Sequence, residues 1–367
     1  MSLGNTFLAA CVAGLPTLAF AQFTAPAPED LIIYHVFIDR FENGDRSNDD
    51  ANPRAGFSPA NGSGFHGGDL EGARQRLPYI AGLGANGIWL SPMLENVREY
   101  HGYATFNWYN VEPNFGTLAK LKQFINEAND LGIAVYFDMV AGHCGTIIDS
   151  AESGFPAYRT PPASYNIRWN STLRYPAPFN NLTYFHAQGE IGNFNSPEQE
   201  LGELAGLDDL KTETVFVQDE MTKIWTYWIE NTGVSGFRID TVKHVDLGFW
   251  RVFLPRLRAK YSEIGRANYF TFGEIFGGDD GLMRTYIRNL TDSADKLDAA
   301  VDFQFYYTSN SVFARADSPP SWMTGRLAAR ESSLGRQVTL QMPNFIDNHD
   351  LVRFMNCLLY TSPSPRD

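Results

Sequence analysis

Short apolar runs rich in β-branched and aromatic residues alternate along this chain with longer stretches of helical period. Leu31–Ile38, Gly87–Leu90, Ile133–Phe137, Gly236–Ile239, Tyr269–Phe272, Ala300–Phe303 and Val338–Phe345 read as strands buried on both faces, because each is nearly continuous rather than alternating. Between them, Leu118–Leu131, Val217–Asn231 and Leu247–Tyr261 carry apolar residues at helical spacing. Several of the strands follow one another at roughly 30 to 45 residues, the interval of strand–helix units in a parallel α/β fold. The interval from Asp138 to Asp240 is longer, about 100 residues, and so contains an insertion of about 60. That insertion is rich in Pro, Asn, Tyr and Gly and has no long helical period. The pattern therefore predicts a (β/α)8 barrel with a small irregular domain inserted after its third strand.

The two ends carry different signals. Phe7–Phe20 is a short apolar run ending in Ala19-Phe20-Ala21, which predicts a signal peptide cleaved after Ala21 and a secreted or periplasmic protein. Beyond Cys357 the Pro-rich run Leu-Leu-Tyr-Thr-Ser-Pro-Ser-Pro-Arg-Asp continues no periodic element. The expected division is 1–21 signal peptide, 22–142 first part of the barrel, 143–206 inserted domain, 207–356 second part of the barrel, and 357–367 a non-native tail, with the chain truncated before strand eight.

Composition narrows the partners. With 29 Lys+Arg against 42 Asp+Glu the net charge is −13. Nucleic acid and anionic membrane surfaces call for the opposite sign. Three cysteines, Cys11, Cys144 and Cys357, make no disulfide scaffold. Aromatic residues at 14% fill a core and also suit stacking on sugars. A monomer is expected.

The polar residues that matter gather where strands end. Asp138 and His143 follow the third strand; Arg238, Asp240, Lys243 and His244 lie at the fourth; Glu274 ends the fifth; Asp347, His349 and Asp350 follow the seventh. A single strand-end Asp is more often a helix cap. Four successive clusters on one rim point to a shared site, since that rim is where barrel enzymes build theirs. Asp240 and Glu274 on adjacent strands place two carboxyls about 5 Å apart, the separation of retaining glycoside hydrolysis. Arg238, two residues before Asp240, shares its face of the strand and would hold it ionised. Asp350 is a third carboxylate for sugar hydroxyls, and His143 and His349 are neutral donors. The segments Asn43-Gly-Asp-Arg-Ser-Asn-Asp49 and Gly67-Gly-Asp69 gather hard oxygen ligands with Gly turns, which suit Ca²⁺; the plainer alternative is a polar turn with Asx caps.

These residues resemble the α-amylase family of glycoside hydrolases from about Asp30 to Arg353. Asp138-Met-Val-Ala-Gly-His143, Gly236-Phe-Arg-Ile-Asp-Thr-Val-Lys-His244, Phe272-Gly-Glu274 and Phe345-Ile-Asp-Asn-His-Asp350 are similar to its first four motifs. Gly206-Leu-Asp-Asp-Leu210 is similar to the fifth, and Gly87-Ile-Trp-Leu-Ser-Pro92 to the strand-two motif. The resemblance implies Asp240 as nucleophile, Glu274 as general acid and then base, and Asp350 as transition-state stabiliser. It implies Arg238 positioning Asp240, and His143 and His349 binding the glucose at the cleaved bond. Lys243 and His244 would contact the leaving-group sugars. Tyr103 would stack on the sugar and His101 would donate to it, both in Tyr100-His-Gly-Tyr103. Asn43, Asp45, Asn48, Asp49, Gly67 and Asp69 resemble a calcium loop of cyclodextrin-forming members. The family's other calcium would use Asp209 and the His244 carbonyl, but its usual Asn is Gly142 here.

The implied activity is retaining hydrolysis of α-1,4 links in starch or maltooligosaccharides. An alternative is a transglycosylase of the cyclodextrin-forming type, which carries a bulky aromatic near the place of Ala205. Two other classes are a non-catalytic glucan-binding relative and a metallohydrolase using His101, His143 and His349. The first would lack catalytic carboxylates; the second lacks a zinc-like His spacing.

Overall fold

The computed structural model describes residues 23–150, 156–266, 268–288 and 295–354. The expected signal peptide and the expected tail lie outside them.

Six strands form one parallel sheet in chain order: β1 Ile33–Val36, β2 Gly87–Leu90, β3 Ala134–Met139, β4 Gly236–Ile239, β5 Phe270–Gly273 and β6 Ala299–Ala300. Chain order and sheet order agree, as in a barrel wall wound by successive right-handed crossovers. β2 to β5 are buried along their whole length, which is why they read as continuous apolar runs rather than alternations. Backbone contact between β4 and β5 is close: a Cβ on Gly236 would stand 1.9 Å from the Phe270 carbonyl oxygen.

The helices pack outside this wall. α1 (Leu118–Asp130) starts at Thr117, whose hydroxyl caps the Lys120 N–H, and buries Leu121, Phe124, Ile125 and Ala128, a stripe at i, i+3, i+4 and i+7. α2 (Val215–Thr232) buries Trp225 and Trp228 and stops at Gly233, which takes the left-handed conformation (φ 63°) of a helix C-cap. α3 (Leu247–Glu263) is capped by Asp246. Buried polar atoms tie these layers together: Trp228 Nε1 donates to the Trp108 carbonyl at 2.8 Å, and Tyr261 Oη to that of Val234 at 2.8 Å.

Between β3 and α2 the chain is irregular, with a hairpin of Ile148–Ser150 against Ile167–Trp169, a single turn at Leu182–Tyr184 and a four-residue helix at Glu198–Leu201.

The seventh expected strand, Val338–Phe345, is corrected. Helix α4 (Ser321–Leu334) is followed by a second helix, α5 (Arg336–Gln341), and then by irregular chain. A short run with Val338 and Thr339 buried and Leu340 exposed fits either period, and helix-forming Arg and Gln favour the helix. Pro343 also lacks the N–H that a strand ladder needs. Its carbonyl accepts from Asp302 N at 3.0 Å. Buried Arg330 pairs with Asp302 and donates to Asn344 Oδ1 at 2.8 Å. These contacts fix the run from Phe345 to Asp350 beside the strand ends.

The Gly236 contact gives a stability test. Gly236→Ala should cost about 1–3 kcal/mol or more by forcing β4 from β5, read as the urea midpoint. An unchanged midpoint would mean the strands are not so close.

Candidate functional site

Each carboxyl of the site is delivered by backbone pairing. Asp240 N donates to the Met139 carbonyl at 2.9 Å and Glu274 N to that of Ile239 at 2.7 Å. The ends of β3, β4 and β5 are thereby level, and Asp138, Asp240 and Glu274 converge. Arg238 and Asp240, two apart, share a face of β4. Thr241 follows in the left-handed region (φ 44°), uncommon for a β-branched residue and a marker of strained functional turns.

Arg238 is almost fully buried at the centre. Its Nη1 is 2.8 Å from Asp138 Oδ1 and 2.5 Å from Asp240 Oδ1, and its Nη2 pairs with Glu274. Its guanidinium carbon lies 4.8 Å from the centre of the Trp89 ring, within cation–π range. Asp138 Oδ2 accepts from Trp89 Nε1 and Tyr103 Oη, each at 2.9 Å. The Tyr103 oxygen in turn accepts from His349 Nε2 at 3.0 Å, and the two rings are parallel within 5°, their centres 5.8 Å apart. His143 Nε2 stands 3.7 Å from Asp240 Oδ2. His101 Nδ1 accepts from Tyr103 N at 3.1 Å, so its proton is on Nε2. His244 Nδ1 donates to the Gln199 carbonyl at 2.9 Å. Asp350 is exposed, 3.4 Å from His349 Nε2.

An open cleft of about 1750 Å³ lies over this cluster. His101, Tyr103, His143, Asp240, Lys243, His244, Glu274, His349 and Asp350 all line it, while Arg238 lies beneath. His143 Nε2 and His349 Nδ1 are buried without hydrogen-bond partners, free to meet a ligand's hydroxyls.

One positive charge faces three carboxyls, and burial adds a further cost to ionising them all. Burial, with Asp240 and Asp350 nearby, pushes Glu274 up to about 8 against the pull of Arg238. Burial raises Asp138 to about 6, again against Arg238. Burial lowers His101 and His244 to about 4 and lowers His143 and His349, so these imidazoles are neutral at pH 7. Burial and the Asp138 charge raise Tyr103, which stays a phenol.

The expected calcium loop is partly fitted for a cation. Asn43 Oδ1 and Asn48 Oδ1 are buried without partners. Asn43 Nδ2 donates to Asp49 Oδ1 at 2.7 Å. Gly67 is pressed against both, since a Cβ there would meet Asn43 Nδ2 at 2.3 Å and Asp49 Oδ1 at 2.7 Å. Asp69 instead accepts from the N–H groups of Gly44, Asp45 and Gly72, and Asp45 from Ser47. Among the described residues no three His, Cys, Asp or Glu side chains are grouped to hold a metal.

Asp209 does not fit the second calcium. Its carboxylate is 2.6 Å from His186 Nδ1, and His186 Nε2 is 3.3 Å from Glu213 Oε1. Although burial opposes it, these two carboxylates hold His186 up at about 9. An imidazolium therefore supplies the positive charge beside Asp209, and Gly142 offers no side-chain oxygen.

Residues 35–362 match the family model for the alpha amylase catalytic domain. The chain belongs to the alpha-amylase family. Its barrel fold is shared with an Anoxybacillus alpha-amylase structure (TM-score 0.71, 29% identity, covering 91% of this chain and 65% of that one). A cyclomaltodextrin glucanotransferase structure gives TM-score 0.71 at 26% identity, covering 90% and 66%. Among curated alpha-amylase family relatives, the beta/alpha-amylase of Paenibacillus polymyxa is 37% identical over 336 residues, 88% of this chain and 24% of that protein. The periplasmic alpha-amylase of Escherichia coli is 30% identical, covering 84% and 56%. The chain thus spans between a quarter and a little over half of these two relatives. No helix among the described residues is long and apolar enough to cross a membrane.

Asp138 is the residue that sequence reasoning placed at the rim without giving it work. Its partners Trp89 and Tyr103 are 49 and 35 residues away, a convergence no local pattern announces.

The cluster's charge balance can be tested directly. Removing the cation with Arg238→Met should cost about 3–5 kcal/mol at pH 8. Carboxyls raised in the folded state favour folding while protonated and lose that contribution as pH rises through 8. The deficit should therefore shrink at pH 5. A deficit independent of pH would contradict this charge balance.

Proposed function

We propose that this protein is a secreted, retaining α-glucan hydrolase that cleaves α-1,4-glucosidic bonds of starch or maltooligosaccharides. The observation that carries the reading is the single buried guanidinium of Arg238 touching Asp138, Asp240 and Glu274. It holds two neighbouring carboxyls on one cation in one cleft, with Glu274 pushed up to about 8, which suits the acid of a double displacement.

Asp240 attacks the anomeric carbon as that carbon's bond to the leaving oxygen breaks. Glu274 donates its proton to that oxygen, so a glycosyl ester forms on Asp240 and the leaving sugar departs neutral. Glu274, now a carboxylate, takes a proton from water, whose oxygen displaces Asp240. Two inversions leave the α configuration. Asp350, His143 and His349 bind hydroxyls of the reacting sugar, Tyr103 stacks on it with His101 donating, and Lys243 and His244 hold the leaving chain. Ala205, small and lining the cleft where cyclodextrin formers carry a bulky aromatic, supports hydrolysis over transfer.

Proton NMR of maltoheptaose digests should show the α-anomer appearing first at the new reducing end; β-anomer first would overturn retention. Asp240→Asn should lose at least about 10⁴-fold in turnover while folding normally, and near-normal activity would remove it as nucleophile. Because Glu274 must be protonated to act, kcat/KM should fall as pH rises through about 8. A rate still rising at pH 9 would contradict its role.

We also propose Ca²⁺ at Asn43, Asn48, Asp49 and the Gly67 carbonyl, supported by the two unpartnered amide oxygens. Calcium at a hundred times its Kd should stabilise the fold by about 2.7 kcal/mol. Asn48→Ala should abolish that gain; a melting temperature indifferent to Ca²⁺ and chelator would reject the site.

A further inference from the structure

We propose that Asn96 and Glu112 are positioning residues for Tyr103, setting the aromatic floor of the cleft from beneath. The inference rests on the proposed reading of Tyr103 as a residue that contacts substrate.

Tyr103 lies on the excursion between two short antiparallel strands, Leu94–Asn96 and Thr105–Val111. A side chain on such an excursion needs anchoring if its ring is to sit at one height against the sugar. Its own hydroxyl is held by Asp138 and His349. The backbone on both sides is held by one amide. Asn96, fully buried, donates through Nδ2 to the Gly102 carbonyl at 3.2 Å and accepts at Oδ1 from Ala104 N at 3.0 Å. These are the residues immediately before and after Tyr103. On the far side Gly102 has φ +89°, and a Cβ there would stand 2.1 Å from the Pro92 carbonyl oxygen. The excursion is gripped between Pro92 and Asn96.

Asn96 is in turn fixed by Glu112. The Asn96 N–H donates to Glu112 Oε2 at 2.8 Å. Glu112, also fully buried, accepts from Asn52 Nδ2 at 3.0 and 3.1 Å and from Asn114 N at 3.2 Å. A carboxylate with all its partners on backbone and amide groups makes a rigid anchor. None of these atoms lines the cleft, so Asn96 and Glu112 reach the substrate only through the excursion that carries Tyr103. Removing the Asn96 amide strands the Gly102 carbonyl and the Ala104 N–H, and the excursion relaxes. A shift of the ring by about 1 Å is enough to lower turnover up to a hundredfold.

A double-mutant cycle on kcat and KM for maltoheptaose tests this. Tyr103→Ala should lower kcat/KM at least tenfold. Asn96→Ala should lower kcat by about tenfold to a hundredfold, yet change a Tyr103→Ala enzyme by no more than about twofold. Equal losses in both backgrounds, or no loss from Asn96→Ala beside a real loss from Tyr103→Ala, would overturn the positioning role while leaving the proposed function standing. If Tyr103→Ala itself were fully active, the substrate-contact reading would fail and this inference with it. Should circular dichroism find Asn96→Ala unfolded, Glu112→Gln, which keeps volume and exchanges one acceptor for a donor, decides the same cycle.

Discussion

A guanidinium buried beneath the cleft governs how the site is charged. Arg238 has three carboxyls around it, from the ends of three neighbouring strands, and cannot itself give up its proton. Three ionised acids out of water around one cation would be costly, so the cluster settles by keeping a proton on one of them. Glu274 is that carboxyl, pushed up to about 8 by burial and by the acids beside it. Asp240 shares the Nη1 nitrogen that also reaches Asp138. One arginine thus touches three acids, of which Glu274 holds its proton most firmly.

The fold's contribution is register. Parallel pairing carries β3, β4 and β5 to the same level, with Tyr136 opposite Gly236 and Gly236 opposite Phe270. The tight backbone approach at Gly236 keeps the strands close enough for one guanidinium to span them. The excursion bearing Tyr103 then closes over Asp138, and the chain after β6, tied down by Arg330, brings His349 to the Tyr103 hydroxyl. Pieces separated by up to 246 residues share one hydrogen-bonded chain above the arginine.

Much of this was readable in the amino-acid order. β2 and β4 were expected at their observed bounds, because strands buried on both faces are short, continuous and apolar. α1 to α3 announced themselves by period. Val338–Phe345 misled because its eight residues of mixed character fit both periods, and the helix-forming Arg336 and Gln337 before it and Pro343 within it turn the balance. The rim residues could be found, since strand ends and spacing are local features. What could not be found was the sharing of partners: that Asp138 holds Arg238 and Tyr103 together, that His186 engages Asp209, or that Asn96 clasps the residues flanking Tyr103. Each depends on a contact between distant segments that leaves no periodic trace.

The central claim is that Asp240, prepared by Arg238, carries the sugar while Glu274 carries the proton. Trapping tests it most directly: incubation with a fluorinated α-glucosyl fluoride that forms the glycosyl enzyme but releases it slowly, followed by digestion and peptide mass spectrometry. The account predicts one added sugar, on the peptide containing Asp240. A sugar on Glu274, or active enzyme that never becomes labelled, would contradict it.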